Sequence, residues 1–388
     1  MIQREISKLL KNDLGKQKAL VIMGARQVGK TTLLRALSEK WEHTLWLTGD
    51  ELETQKMFEN PTITRLKTEL AGVKYLIIDE AQRLPNVGLS LKLITDHLQN
   101  IQLLVTGSSA FELSNQLNES LMGRTFEYRL YPLSFSETAN YHSLREERQL
   151  LYYRLIFGYY PDVVMHPEDA KKILQNLIQN FLYKDMLLIE GVKKPDKIVK
   201  LLQALAYQVG SQVSYNELSS LVGMNIATVD KYITLLEQSF VLFRLNSFSR
   251  NLRSELSKSR KIYFYDNGIR NALISNLSAI ETRTDTGALW ENFLISERLK
   301  LLHNNERWTQ RYFWRTTEHQ EVDYIEEEDG VLRAFEFKWS KTKKARVSKT
   351  FSRAYPNAEI SIITPENYES FINNDDNSEN LPRSLLSK

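Results

Sequence analysis

The chain of 388 residues contains no cysteine, which excludes a disulfide framework and any thiolate-held metal. Its six histidines are scattered, without the spacing of a zinc ligand cluster, so no structural zinc is expected. No run of about 18 apolar residues occurs, which removes a membrane-spanning helix from the reading. The opening segment Met1–Leu20 also lacks the apolar centre of a signal peptide, being interrupted by Arg4, Glu5, Lys8, Lys11, Asp13, Lys16 and Lys18. A cytoplasmic location with no membrane partner is the expectation. The formal net charge of +3 is too small for the whole surface to trap nucleic acid, which leaves single faces to do so.

What is present is ordinary globular composition, 42% hydrophobic and 26% charged, in a chain too long for one core. Ala19 to Met23 is a short apolar run that predicts a buried parallel strand. It leads directly into Gly24-Ala25-Arg26-Gln27-Val28-Gly29-Lys30-Thr31-Thr32 and then a helical pattern through Ser38. Two glycines at this spacing permit a tight loop whose backbone N–H groups face inward, and the following helix N-terminus adds partial positive charge. In such a loop Lys30 reaches the β- and γ-phosphates of ATP, and the Thr31 hydroxyl ligates Mg2+. A second strand, Lys74 to Ile78, ends in Asp79-Glu80, with Asp79 expected to hold the magnesium and Glu80 to orient or deprotonate the attacking water. A third, Ile101 to Thr106, ends in Gly107-Ser108-Ser109, whose hydroxyls are placed to sense the γ-phosphate. A strand around Thr44 to Thr48 leaves room for an extra strand between the loop strand and the acidic strand. Arg124, before a strand Thr125 to Leu130, is either an arginine finger reaching a neighbouring subunit's nucleotide or an ordinary surface ion pair.

These strings, with Gly-Arg before Tyr-Pro-Leu-Ser-Phe-Ser-Glu at 131–137, resemble a prokaryotic AAA-type P-loop ATPase family. The resemblance implies a winged helix and a restriction-endonuclease-like C-terminal domain after the ATPase, and a homo-oligomer if Arg124 acts in trans. The fold class expected is therefore α/β: a P-loop AAA-type parallel sheet with helices, a helical and winged-helix region, then a restriction-endonuclease-like α/β domain. The corresponding boundaries are 1–137, 138–205, 206–280 and 281–372, with a polar tail at 373–388.

The middle region reads as helices, including Gln149 to Phe157 and Ala170 to Leu188, that form a lid near the nucleotide. Tyr215 to Leu221, a turn at Val222-Gly223-Met224, and Ala227 to Gln238 form a helix-turn-helix, with Asn225 at the second N-terminus. Val229, Ile233, Leu236 and Phe240 supply its buried stripe, while Thr228, Lys231 and Thr234 face outward. Val241 to Phe248 and Lys261 to Tyr265 read as the strands of a wing, joined by a basic segment with Arg250, Arg253, Lys258, Arg260 and Lys261. Such residues suit contacts to DNA phosphates over base readout, although a winged helix also serves as a protein-packing module.

Further on, a helix from Gly287 to Leu301 carries Glu291, and strands follow at 311–316, 321–325 and 333–339. Asp323 on one strand and Glu336-Phe337-Lys338 on the next fall at one sheet end, because residues two apart on a strand share a face. Two carboxylates there can bind Mg2+ while the lysine orients a hydrolytic water. The pattern resembles the PD-(D/E)XK nuclease superfamily, which implies Asp323, Glu336 and Lys338 as its core and Glu291 as the helix carboxylate. Val322 replaces the nominal proline, and Lys341, Lys343, Lys344 and Arg346 follow. The expected function is ATP hydrolysis with DNA binding and remodelling and a metal-dependent nuclease module; the alternative is a nucleotide-dependent protein switch whose last domain does not cleave.

Overall fold

A computed structural model describes residues 1–108, 121–179, 195–249, 259–339 and 348–373. Ser109, Arg250, Arg253, Lys258, Lys341, Lys343, Lys344 and Arg346, the end of the expected helix to Leu188, and the tail beyond 373 lie outside the described residues.

The first sheet contains β1 (Ala19–Met23), β2 (Thr44–Thr48), β3 (Tyr75–Asp79), β4 (Gln102–Gly107) and β5 (Thr125–Arg129) in the order β2-β3-β4-β1-β5. All of its pairings are parallel. β1 is buried throughout, as a central strand with helices on both faces must be, and its continuous apolar sequence follows from that. The strand inserted between β1 and the acidic strand β3 is β4; the strand at Thr44–Thr48 is instead at the sheet edge beside β3. Period alone identifies such strands without ordering them, because pairing depends on crossovers far apart in sequence.

Helices then run from Phe135 to Leu177 with short breaks, followed by a long helix, Pro195–Tyr207. Ser134 caps the first of these, accepting from the Glu137 backbone while the Glu137 side chain returns to the Ser134 N–H. The helix-turn-helix is present as Tyr215–Val222 and Ile226–Gln238. Gly223 closes the first helix in the left-handed region, and the Asn225 side chain accepts from Thr228 N to start the second.

The second sheet has the order β11-β10-β9-β8-β6-β7, built from β6 (Leu242–Ser247), β7 (Arg260–Phe264), β8 (Gln310–Arg315), β9 (Glu321–Glu328), β10 (Val331–Phe337) and β11 (Glu359–Ile363). β6 and β7 form the antiparallel hairpin expected of a wing, but β6 also pairs in parallel with β8 at Asn246↔Tyr312 and Ser247↔Phe313. The expected boundary at 280 therefore does not separate two independent sheets: the hairpin and the C-terminal strands are one.

The helix Thr286–Asn304 joins the two sheets. From Leu289 to Leu302 nearly every side chain is buried, including Glu297, Arg298 and Lys300. A helix buried all round must pair its charges internally. Arg298 Nε donates to Glu326 Oε1 at 2.7 Å, Lys300 Nζ to Glu297 Oε1 at 2.6 Å, and Lys300 Nζ also to the Leu133 carbonyl at 2.9 Å. Glu297 Oε2 accepts from Phe135 N at 2.7 Å, so this helix grips the segment that leaves the first sheet. Beside it Arg4, 9% exposed, meets Glu137, 3% exposed, at 3.0 Å.

Removing one partner of a buried pair leaves the other charge uncompensated, so Glu137→Ala is expected to cost about 3–5 kcal/mol of stability. Asp96→Ala, which removes the partly exposed partner of Arg124, is expected to cost about 0–1 kcal/mol. Matched denaturation curves check this, and equal losses would contradict the structural role of the Arg4–Glu137 pair.

Candidate nucleotide site and C-terminal carboxylate cluster

The phosphate loop begins where β1 ends. Gly24 N donates to the Gly107 carbonyl at 3.3 Å, and a Cβ at Gly24 would stand 2.1 Å from the Leu130 carbonyl oxygen, so only glycine fits. Gln27 (φ 60°) and Gly29 (φ 95°) turn the chain through the left-handed region, and the helix Lys30–Ser38 starts at once. Lys30 Nζ donates to the Gly24 and Ala25 carbonyls, both at 2.9 Å, holding the ammonium across the loop.

Thr31 Oγ1 donates to Asp79 Oδ2 at 2.7 Å. A hydroxyl and a carboxylate oxygen this close fit one magnesium ion between them, which is the hard oxygen donor set that the ion prefers. The other carboxylate oxygen of Asp79 accepts from the Thr106 hydroxyl, and Thr106 Oγ1 in turn accepts from Glu80 N at 3.1 Å. Glu80 is in the left-handed region at φ 51°. Its Oε2 accepts from Gln82 Nε2 at 2.7 Å and from Ser108 Oγ at 3.2 Å. Ser108 thus contacts Glu80, while Thr106, whose role the sequence reading missed, is the hydroxyl beside Asp79. The string Val-Thr-Gly-Ser-Ser contained that signal, because alternation along β4 puts Thr106 and Ser108 on one face.

A cavity of about 610 Å³ opens over the loop. Arg26, Gln27, Gly29, Lys30, Thr31 and Thr32 line it, with Glu80 opposite. The helix Pro161–Met165 and the residue after it bring Asp162 and His166 to the rim. Asp50 and Arg83, joined by an ion pair, complete it and had no sequence signal of their own. Arg4 supports the loop from behind: its guanidinium donates to the Val28 carbonyl at 2.7 Å and the Tyr131 carbonyl at 2.6 Å.

Arg124 is not brought to this cavity. Its carbonyl accepts from Ala19 N at the start of β1, the opposite end of the strand from the loop, and its guanidinium pairs with Asp96 at 2.6 Å. Within one chain, then, Arg124 makes the ion pair that the sequence left open beside the arginine finger.

At the second sheet, antiparallel pairing of Tyr324 with Phe335 puts Asp323 opposite Glu336. Asp323 Oδ2 accepts from Phe337 N at 2.8 Å, and Lys338 Nζ donates to Glu336 Oε2 at 2.8 Å. Burial, reinforced by the Asp323 carboxylate, pushes the Glu336 carboxyl up to about 7. Burial likewise raises Glu291 to about 7, against the pull of Lys261, with Asp323 adding to the rise. The sequence pattern thus brings Glu291, Asp323, Glu336 and Lys338 into one electrostatic cluster.

Two corrections follow. Lys261, expected as an exposed wing residue, is 1% exposed and pairs with Glu291 at 3.0 Å and with Glu321. The strand alternates, and Lys261 falls on the face that meets the helix Thr286–Asn304. Tyr263 OH also donates to Glu291 Oε1, at 2.5 Å. With Glu291 so engaged, the expected three-carboxylate ligand set is not assembled: no group of three or more metal-ligating side chains occurs among the described residues. Asp323 and Glu336 face each other across the β9–β10 pair. Outward on the helix-turn-helix, Lys231 is exposed as expected, whereas Arg244 and Arg260 pair with Asp230 at 2.9 and 3.4 Å. Among the described residues no helix is long and apolar enough to cross a membrane.

Residues 16–139 match the model of an AAA domain. Residues 148–280 and 286–381 match two domains of unknown function (DUF8612 and DUF4143). An uncharacterized protein of Mycobacterium tuberculosis is 27% identical over 371 residues, covering 94% of this chain and 80% of that protein. One from Haemophilus influenzae is 28% identical over 283 residues, covering 67% of this chain and 70% of that protein. Among solved structures, a Walker-type ATPase of Pyrococcus abyssi superposes with a TM-score of 0.51 at 16% identity, covering 70% of this chain and 96% of that one. The loop geometry, the domain match and the shared fold together support a P-loop ATPase domain of the AAA type in the first third of the chain.

Proposed function

We propose that this protein hydrolyses Mg-ATP and uses the cycle to bind and remodel DNA, with metal-dependent phosphodiester cleavage at Asp323, Glu336 and Lys338. The observation that carries the ATPase reading is the Thr31–Asp79 hydrogen bond beneath Lys30, with Glu80 fixed across the same cavity. Lys30 exchanges its bonds to the Gly24 and Ala25 carbonyls for phosphate oxygens, and the N-terminus of its helix stabilises the same charge. Thr31 and Asp79 would hold magnesium, which would supply charge neutralisation on the transferred phosphoryl group. Glu80 positions the attacking water and takes its proton, and the bonds from Gln82 and Ser108 hold that carboxylate in place.

The DNA reading rests on the exposed Lys231 of the second helix and on the paired Asp323 and Glu336 with a lysine alongside. A cation there would be held by the two carboxylates, and Lys338 would stabilise negative charge developing on the phosphate. A second reading, a nucleotide-dependent switch that binds a protein and does not cleave, is favoured by one observation. The Lys261 ammonium already neutralises Glu291 and Glu321, a charge that an active metal centre would otherwise balance.

Glu80→Gln is expected to retain Mg-ATP affinity while turnover falls about 100-fold or more; unchanged turnover would remove Glu80 from the mechanism. For the DNA reading, ATP turnover measured with single-stranded, duplex and branched DNA is expected to rise. In manganese, a denaturing gel is expected to show nicking that Asp323→Ala abolishes. Turnover indifferent to DNA that survives intact would discard this reading in favour of the switch.

A further inference from the structure

A second cavity, of about 530 Å³, shares no lining residue with the one over the phosphate loop and lies where strands of both sheets meet a helix end. Edge strand β5 contributes Arg129, the C-terminus of the helix Ile226–Gln238 contributes Gln238, and β6 and β8 contribute Asn246 and Arg311. We infer that this cleft is a binding site for a phosphate ester of nucleotide size, independent of the hydrolysis and cleavage readings above.

The charge argument is first. Arg129 and Arg311 face the same groups, both acting on Tyr131, Tyr265 and His303. His303 is held down to about 4 by burial and then by these two cations. Neither arginine makes an ion pair with a carboxylate among the described residues, whereas Arg4, Arg154, Arg244, Arg270 and Arg298 all do. Two converging guanidiniums in a concave site are suited to the planar, bidentate recognition of phosphate. Of the acidic side chains lining the cleft, Glu237 is spent on Arg244, while Glu127 shares the Arg129 face of β5 and offsets one of the two charges, which leaves the cleft net positive.

Polar and apolar complements are also present. Gln238 Oε1 is buried without a hydrogen-bond partner, an acceptor that a ligand hydroxyl or amine would satisfy. Phe240 and Phe243, packed on Tyr265 with ring centroids 6.2 and 4.9 Å away, give an aromatic floor for a flat ring. The volume falls within the range of about 300–1,000 Å³ that small-ligand sites occupy. The cleft also touches Met23, which pairs with Arg129 and immediately precedes Gly24 of the phosphate loop.

The same chemistry is offered by a free mononucleotide and by the end of a single strand. The full chain, with its phosphate loop saturated by Mg-ADP, is titrated calorimetrically with AMP and, separately, with tetrathymidylate. Saturable binding of at least one probe is expected, weakened about tenfold or more in Arg311→Gln and Arg129→Gln. AMP binding identifies a free nucleotide as the ligand; binding of tetrathymidylate alone identifies a strand end. Retained Mg-ADP binding and melting temperature show that the variants fold, and Asn246→Asp, an exposed change that puts a negative charge at the cleft, is expected to weaken the same probe. Absence of saturable binding by either probe, or wild-type affinity in all three variants, overturns the site.

Discussion

The buried guanidinium of Arg4 is the point on which the nucleotide site depends. It pairs with Glu137 and donates to the carbonyls of Val28 and Tyr131, so the N-terminal arm, the phosphate loop and the segment leaving β5 are tied by one cation. Glu137 is also the capping-box residue of the helix that starts the middle region. A loop whose backbone must present N–H groups to phosphates gains its rigidity from such external bonds, because its glycines supply none. The next layer is the helix Thr286–Asn304, whose Glu297 and Lys300 hold Phe135 N and the Leu133 carbonyl on the far side of the same segment.

That helix gives the molecule its continuity. Near its start Glu291 meets Lys261 and Tyr263 of β7, and about two turns later Glu297 and Lys300 reach the exit of the first sheet. The nucleotide loop and the carboxylate cluster are thereby connected through packed, hydrogen-bonded elements. The pairing of β6 with β8 has the same consequence for the helix-turn-helix: its hairpin is structurally part of the C-terminal sheet.

Much of the first domain was legible in the sequence because local rules dominate there. A continuous apolar strand followed by Gly-x4-Gly-Lys-Thr admits one strand-loop-helix geometry, and Asp79 had to end a strand to reach it. The carboxylates of β9 and β10 were legible by alternation alone. What escaped depended on contacts between distant segments: Arg4 is 133 residues from Glu137, and Asp162 reaches the nucleotide cavity from another domain. Lys261 was misread because a basic residue within a basic run gives no sign of which strand face it occupies. The ion pair of Arg124 was not separable from the alternative in the sequence, because a position before a strand does not say which end of the sheet that strand begins at.

The account stands on the phosphate loop as a working catalytic element. Steady-state ATP turnover by the purified full chain in magnesium, measured beside Lys30→Ala, tests it most directly. The prediction is turnover that requires magnesium and falls to background in the variant; absence of turnover in the wild-type chain, or equal turnover in both, would contradict it.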